Sequence, residues 1–300
     1  MNVSTWSDLP EAVRAHYPWR GRDLALTSGF RMHYVDEGEG ETLLMVHGNP
    51  TWSFYYRTLV QGLSDRYRCV VPDHVGCGLS DKPQDWPYQL ADHIDNLCQL
   101  IEHLDLKRIT LVVHDWGGAI GFGAAARMPE RFERFVVFNT AVFMGPIPWA
   151  LKLVHVPVVG SVLVRGLNGF VRGGLAVSIA DRKRMRNGVG KGYLAPYNSW
   201  RTRVANHRMV LDIPVDEKHP TWKPLHAIDA SLAQYRDKPM LIVWGEQDFV
   251  FTNWFRDQWV KRFPDAEVHS LPECSHWIVE DAHERIVPWM ADFLERNPLP

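Results

Sequence analysis

The stretch VVHDWGGAIG, residues Val112–Gly121, joins an apolar run to a glycine-flanked turn and then to a row of small residues. The β-branched run predicts a buried strand, and the small residues from Gly117 onward predict a helix packed close against it. Between the strand and the helix stand Asp115 and Trp116. An acidic side chain at a sharp strand-to-helix turn indicates a candidate active site.

Similar apolar runs alternate with helical patterns along the sequence. Buried strands are predicted at Thr42–Gly48, Arg68–His74, Ile109–Asp115, Arg134–Thr140 and Pro239–Asp248, a half-exposed strand at Arg31–Gly38 and a short one at Ala266–Pro272. Helices are predicted at Asp92–Leu104, Gly117–Met128, Phe255–Arg262 and His283–Arg296. This alternation predicts an α/β fold in which helices flank a mostly parallel central sheet on both faces.

The alternation stops between Phe143 and about Ala230, where the pattern is helical and aromatic. An insertion at this point predicts a helical cap over the carboxyl edge of the sheet, where open α/β sheets bind their ligands. The predicted division is a core in two parts, residues 1–142 and 231–300, with a helical cap at 143–230.

Composition narrows the class of protein. A formal net charge of −2 provides no field that would attract nucleic acid. We find no apolar run long enough to span a bilayer and no apolar segment of a secretory signal near the first residue. The four cysteines have no metal-ligand spacing. We therefore expect a cytoplasmic protein with free thiols, no metal, no cofactor and a small apolar substrate.

Five side chains follow predicted strands, at the edge where this architecture places its active site: Asn49, Asp115, Trp116, Asp248 and His276. An acid, a second acid and a histidine in this order match the nucleophile, acid and base of the α/β-hydrolase fold, with Asp115 replacing serine. As an alternative, Asp115 only caps the helix that begins near Trp116. A cap does not explain the placement of Asp248 and His276.

A carboxylate nucleophile changes the reaction. It displaces a leaving group from a saturated carbon and forms an ester on Asp115. A water activated by His276, with Asp248 orienting the imidazole, would then hydrolyse that ester. Glu246 competes with Asp248 for the acid position, and Asp248 is the favoured candidate.

The indole N–H of Trp116 and the side-chain amide of Asn49 are neutral donors beside the nucleophile. Donors of this kind stabilise a weakly basic anion that appears in the transition state, and a halide fits that description. Their backbone N–H groups would serve as an oxyanion hole. The alternatives are that Trp116 only packs and that Asn49 is a turn residue before Pro50.

The segments HGNPTWSFYYR, VVPDHVGCGLSDKP, VVHDWGG, WGEQDFVF and CSHWIVED together resemble the haloalkane dehalogenase family, from about Met32 to Phe293. The resemblance implies nucleophile, base and acid at Asp115, His276 and Asp248, and a halide pair at Asn49 and Trp116. The pattern is similar to the third branch of that family, which implies a homo-oligomer. We therefore expect hydrolysis of a haloalkane to an alcohol and halide.

The cap stretches LVRGLNGFVRGG and YLAPYNSW are also similar to the β-lactone decarboxylases of bacterial olefin biosynthesis. The resemblance implies the same Asp, His and Asn–Trp set, with formation of a cis-alkene and CO2 as the alternative activity. Shared catalytic residues do not separate the two reactions, because both begin with attack by a carboxylate.

Two further alternatives are more distant. Epoxide hydrolases also use an Asp nucleophile and polarise the epoxide with two cap tyrosines, for which Tyr193 and Tyr197 are candidates, although Pro196 lies between them. A non-enzymatic binding module of the same fold is the other alternative. Its discriminating feature would be the loss of Asp115 or His276, and both are present.

The cap also contains a basic stretch, ADRKRMRNGVGKG, with five cations between residues 182 and 191. The simpler interpretation is a solvated loop. The alternative is a docking patch for a partner or an anionic lipid surface.

Overall fold

Eight strands form one sheet in the computed structural model of the chain, which describes residues 3–299 and all their side chains except that at position 150. The strands are β1 (Arg22–Ala25), β2 (Arg31–Glu37), β3 (Thr42–Val46), β4 (Arg68–Pro72), β5 (Ile109–Val113), β6 (Phe132–Phe138), β7 (Met240–Gly245) and β8 (Glu267–Leu271). Their order is β1-β2-β4-β3-β5-β6-β7-β8, and β2 pairs antiparallel with both β1 and β4. The remaining pairs are parallel, which confirms the mostly parallel α/β-hydrolase sheet.

The seven predicted strands are all present, and β1 is the strand that the sequence did not indicate. It has four residues, of which only Leu24 is buried. An edge strand that is both short and largely exposed has neither the apolar run nor the alternation that predicts a strand. Strand β1 is recognised by its antiparallel pairing with β2.

Twelve α-helices accompany the sheet in the described part of the chain: α1 (Glu11–Arg14), α2 (Arg57–Leu63), α3 (Leu90–His103), α4 (Trp116–Arg127), α5 (Trp149–Val154), α6 (Val159–Ser161), α7 (Gly169–Val177), α8 (Val189–Leu194), α9 (Val204–Leu211), α10 (Trp222–Ser231), α11 (Asn253–Arg262) and α12 (Ile278–Arg296). The four predicted core helices correspond to α3, α4, α11 and α12. The sequence did not indicate α2, whose seven residues are too few for a clear helical period.

The core lies on both faces of the sheet. On one face Leu44, Leu111 and Ile242 pack with side chains of α3, α4 and α11. On the other face Leu43 and Val112 pack with side chains of α2 and α12. Strands β3, β5 and β7 are buried along their whole length, which explains why their sequences are continuous apolar runs rather than alternating ones.

Helices α5 to α10 all fall between β6 and β7, and no strand lies between those two among the described residues. We call residues 149–231, which span α5 to α10, the cap segment; it includes most of the predicted cap. The division at residues 142 and 230 stays a prediction, and its outer limits, residues 1 and 300, lie outside the described residues. Within residues 3–299, no helix has the length and apolar character needed to cross a bilayer.

Candidate active site

Asp115 occupies a strained turn between β5 and α4. Its backbone has φ 51° and ψ −129°, a conformation that non-glycine residues adopt rarely and mainly at functional sites. Close packing holds the turn: a Cβ on Gly117 would lie 1.9 Å from the Val46 carbonyl oxygen, and one on Gly118 would lie 2.0 Å from Thr140 Oγ1. The Asp115 side chain makes no capping hydrogen bond, so a role as helix cap does not account for it.

The Asp115 carboxylate is buried and faces donors. The backbone N–H of Asn49 donates to its Oδ1 at 2.6 Å. Burial raises the pKa of Asp115, and the nearby His276 and the backbone N–H groups of Trp116 and Asn49 lower it only in part. These donors orient the carboxylate while burial removes the water that would otherwise solvate it, two conditions that suit a nucleophile.

His276 lies between the two carboxylates. Its Nδ1 is 2.7 Å from Asp248 Oδ2, and its Nε2 is 3.7 Å from Asp115 Oδ2. Burial alone would lower the pKa of His276, but the adjacent Asp248 and Asp115 carboxylates outweigh it and hold the pKa above its usual value. The three side chains that the sequence predicts to form the site, Asp115, Asp248 and His276, therefore lie next to one another.

The two candidate acids have different partners in the structure. Glu246 forms an ion pair with Arg256 at 2.5 Å, outside the site. Asp248 turns inward, and its Oδ1 accepts hydrogen bonds from the backbone N–H groups of Val250 at 2.6 Å and Phe251 at 3.0 Å. A carboxylate held by two backbone donors presents its other oxygen to His276 in one orientation.

Asn139 is a site residue that sequence reasoning missed. It directly follows β6, and its side-chain amide donates to Asp248 Oδ2 and to the Gly245 carbonyl, each at 2.9 Å. Its Oδ1 accepts the Gly245 N–H at 2.9 Å, so the amide joins the ends of β6 and β7 and steadies the acid. Its position at a strand end is the signal in the sequence, but an amide lacks the negative charge by which an acid at that position is predicted.

His114 contacts His276 through both a hydrogen bond and its ring. Its Nε2 is 2.8 Å from the His276 carbonyl oxygen, and the two imidazole rings lie 4.6 Å apart. The opposite side of His114 stacks on Tyr55 at 4.6 Å. The residue before Asp115 thereby holds the backbone of His276.

Asn49 and Trp116 both line the cavity above Asp115. The Asn49 amide donates one hydrogen to the backbone oxygen of Asn206, in α9, at 3.1 Å. Because an amide has two N–H groups, one remains for an anion in the cavity. Both side chains of the predicted donor pair therefore line the same cavity as Asp115, and the Asn49 amide is also attached to α9 of the cap segment.

The cavity has a volume of about 610 Å³ and extends from Asp115 into the cap segment. Among the described residues that line it, the polar side chains other than indoles are Asn49, Asp115, Ser178 and His276. The remaining lining is apolar and aromatic and comes from the segment after β6, the cap helices and residues 249–255. A site of this kind accepts an apolar molecule and exposes it to one carboxylate and one imidazole.

Tyr193 and Tyr197 are buried but do not line this cavity. The Tyr193 hydroxyl bonds to Glu280, which also pairs with Arg57 and so links the cap segment to α2 and α12. The Tyr197 hydroxyl donates to the Thr51 carbonyl at 3.3 Å. Both hydroxyls are therefore held by hydrogen bonds away from the cavity, and neither is placed to polarise an epoxide at Asp115.

Comparison with protein families agrees with the fold. Residues 41–283 match the model of the alpha/beta hydrolase fold family. The haloalkane dehalogenase DatA from Agrobacterium tumefaciens C58 has a similar structure, with a TM-score of 0.84 at 24% identity, covering 93% of this chain and 97% of that one. At this identity the likeness concerns the fold alone.

The relatives of this chain include proteins named as decarboxylases and proteins named as haloalkane dehalogenases. A cis-3-alkyl-4-alkyloxetan-2-one decarboxylase from Shewanella oneidensis is 45% identical over 274 residues, covering 89% of this chain and 86% of the relative. One from Xanthomonas campestris is 39% identical, covering 94% and 98%. Haloalkane dehalogenase 2 from Mycobacterium bovis is 33% identical, covering 90% and 93%. Relatives named as decarboxylases are thus more similar to this chain than that dehalogenase.

Proposed function

The chain belongs to the α/β-hydrolase family, in the group that contains the haloalkane dehalogenases and the cis-3-alkyl-4-alkyloxetan-2-one decarboxylases, and from this we propose that it is a β-lactone decarboxylase. The substrate class is a cis-3,4-dialkyl β-lactone, and the products are a cis-alkene and CO2. The sequence favoured haloalkane hydrolysis with this activity as the alternative, and the higher identity to the decarboxylases reverses that preference.

The observation that carries the proposal is the cavity. Its volume of about 610 Å³ and its nearly unbroken apolar lining suit a ligand with two alkyl chains and one small polar ring. The only ionisable side chains among the described lining residues are Asp115 and His276. A lactone whose ring rests at that end would meet the nucleophile, while its chains fill the apolar remainder.

The first step follows from the nucleophile. Asp115 attacks the saturated ring carbon that is bonded to the ring oxygen, and a C–O ester bond forms. The bond between that carbon and the ring oxygen breaks, with its electron pair on the departing oxygen. The ring opens to a carboxylate that stays in the cavity. The free N–H of the Asn49 amide and the Trp116 indole are the donors that would stabilise the charge developing on that oxygen.

The second step returns the enzyme to its starting state. The bond from the carboxylate carbon to the ring carbon breaks, its electron pair forms the carbon–carbon double bond, and Asp115 leaves as a carboxylate. Inversion in the first step and anti elimination in the second convert a cis-lactone into a cis-alkene. The apolar lining favours this step, because a carboxylate held without water is costly and disperses its charge as CO2 leaves.

His276 has a different role here than in ester hydrolysis. The elimination consumes no water, so a neutral imidazole acting as a base would divert the ester to a β-hydroxy acid. A protonated His276, 3.7 Å from Asp115 and paired with Asp248, instead stabilises the carboxylate as it leaves. The raised pKa of His276 supports this assignment.

The pH profile tests that assignment. The pKa of His276 lies above its usual value, so the imidazolium is the form present at low pH and is lost as pH rises through that pKa. We expect the rate of alkene formation to be level just below the pKa of His276 and to fall by about tenfold per pH unit above it. The measurement is kcat/KM from about pH 6 to about pH 9.5. A rate that rises through this range would indicate a neutral base and contradict the role.

The product assay tests the function itself. Purified protein is incubated with cis- and trans-3,4-dialkyl β-lactones and, separately, with bromo- and iodoalkanes, with heat-inactivated protein as the blank. We expect cis-alkene and CO2 in equal amounts from the cis-lactone. Halide release from the haloalkanes without alkene from the lactones would replace the proposal with haloalkane hydrolysis.

A further inference from the structure

Exposed apolar side chains are concentrated on the cap segment. Ten of the fourteen large apolar side chains that are exposed in the described part of the chain lie between residues 149 and 200. We call the following six the cap face: Trp149, Leu153, Val158, Val162, Leu167 and Val177. Trp149 is 75% exposed, Val158 73% and Leu167 62%, values far above those of side chains that pack within a protein. An apolar surface of this extent indicates an interaction site.

The charged side chains in the stretch of chain that forms the cap face are all basic. From Arg134 to Ala180 the chain contains no Asp or Glu. Lys152 in α5 and Arg172 in α7 are exposed, and no ion pair of the described residues involves either of them. The stretch of chain that forms the cap face therefore contributes only positive charge, although the net charge of the whole chain is −2.

The basic stretch at residues 182–191 extends this surface. The Arg182 guanidinium bonds to the Ala176 carbonyl near the end of α7, which places the stretch beside Val177. Arg184 pairs with Glu284 at 2.7 Å, whereas no ion pair of the described residues involves Lys183 or Lys191. The stretch is thus partly anchored, with exposed lysines that add positive charge next to the apolar residues.

The cap face continues into the cavity. Trp149 and Val177 are exposed and also line the cavity, and so does Leu163, which lies beside Val162 and is 37% exposed. An apolar path therefore runs from the outer surface of the cap segment toward Asp115. A molecule that enters along it exchanges one apolar environment for another.

We infer that the cap face docks on the surface of an anionic phospholipid membrane, from which the apolar substrate enters the cavity. Exposed Trp and aliphatic side chains insert at the boundary between headgroups and acyl chains, and Lys and Arg pair with anionic headgroups. The identity of the cargo rests on the proposed function, since a dialkyl lactone partitions into lipid. The docking itself rests only on the apolar and charged residues of the cap segment.

A second copy of the chain fits this surface less well. In a symmetric dimer the same patch meets itself, so Lys152 and Arg172 of each copy would meet a patch whose own stretch of chain, residues 134–180, contains basic residues and no acidic one. Repulsion between like charges opposes that contact. An anionic lipid surface supplies the missing negative charge.

The test is sedimentation of the full chain with vesicles, in the absence of substrate. We expect binding to vesicles that contain phosphatidylglycerol, little binding to pure phosphatidylcholine, and loss of binding as salt increases. The variant Lys152→Glu/Arg172→Glu should bind at least about tenfold more weakly. Lys223→Glu/Lys261→Glu makes the same change in net charge at exposed positions in α10 and α11 and should bind like the wild type.

A second variant tests the apolar component. Leu153 and Leu167 are exposed and do not line the cavity, so Leu153→Ser/Leu167→Ser should weaken vesicle binding without altering the site. Absence of vesicle binding by the wild type would overturn the inference. So would unchanged binding by Lys152→Glu/Arg172→Glu. A concentration-dependent dimer that Leu153→Ser/Leu167→Ser dissociates would assign the face to a second copy instead.

Activity separates this inference from the proposed function. With a short-chain lactone in water, Lys152→Glu/Arg172→Glu should keep the wild-type kcat. With a long-chain lactone held in phosphatidylglycerol vesicles, it should lose at least about tenfold in rate. Vesicle binding without any decarboxylation would contradict the proposed function and leave the docking intact, whereas decarboxylation without vesicle binding would do the opposite.

Discussion

Replacement of Asp115 by Asn is expected to abolish alkene formation, with a loss of at least about 10³-fold in kcat/KM. An amide is not a nucleophile toward a saturated carbon, so the ester intermediate does not form. The fold should persist, because Asn has nearly the same shape as Asp and its Oδ1 can still accept the Asn49 N–H that now lies 2.6 Å from Asp115.

Asp212→Asn is the matched control for this prediction. Asp212 is also buried, but it lies outside the cavity and accepts hydrogen bonds from the Leu90 N–H at 2.7 Å and from Thr221 Oγ1 at 2.6 Å. Burial raises the pKa of Asp212 to about 6, so the neutral amide is a mild change there. We expect this variant to retain activity. An Asp115→Asn protein that is folded by circular dichroism and still forms alkene would show that Asp115 is not the nucleophile.

Replacement of His276 by Gln is expected to trap the ester. Ring opening requires only the Asp115 carboxylate and the donors, whereas departure of Asp115 depends on the charge of the imidazolium. We expect turnover to fall at least about 10²-fold and the protein to gain the mass of the entire lactone on the peptide that contains Asp115. Intact-protein and peptide mass spectrometry after a brief incubation measure both quantities.

The double variant Asp115→Asn/His276→Gln provides the control, because it lacks the nucleophile and should gain no mass. Wild-type turnover in His276→Gln would contradict the role of the imidazolium. Loss of turnover with no adduct would contradict the covalent path. The mass of the adduct is informative as well, because a haloalkane would add only its alkyl group, without a carboxylate.

Much of the candidate site followed from the order of residues along the chain. Asp115 and Asp248 each come shortly after a buried strand, and His276 comes shortly after the partly exposed β8. The carboxyl ends of parallel strands meet at one edge of the sheet. Recognising the strands was therefore sufficient to bring these three side chains together. The same logic extends to Asn139, which also follows a strand and was overlooked because it is not acidic.

The sequence did not predict contacts that depend on the direction of a side chain. Asp248 and Glu246 are two residues apart, and only the turn that aims Asp248 at His276 and Glu246 at Arg256 separates them. Tyr193 and Tyr197 looked equivalent to active-site tyrosines, yet both hydroxyls bond elsewhere in the core. The choice between the two reactions was equally hidden, because both begin with a carboxylate nucleophile beside the same donors.

The sequence by itself therefore determined the fold and the order of the candidate catalytic groups, since apolar periodicity and strand-end position are local properties of the chain. The tertiary structure alone decided the shape of the cavity, the bond from Asn49 to Asn206, and the exposure of the cap face. Each of these arises where segments distant in sequence pack together. The apolar residues at 149–177 give the same sequence pattern whether they line a core or face outward, because hydrophobicity alone does not specify what covers them.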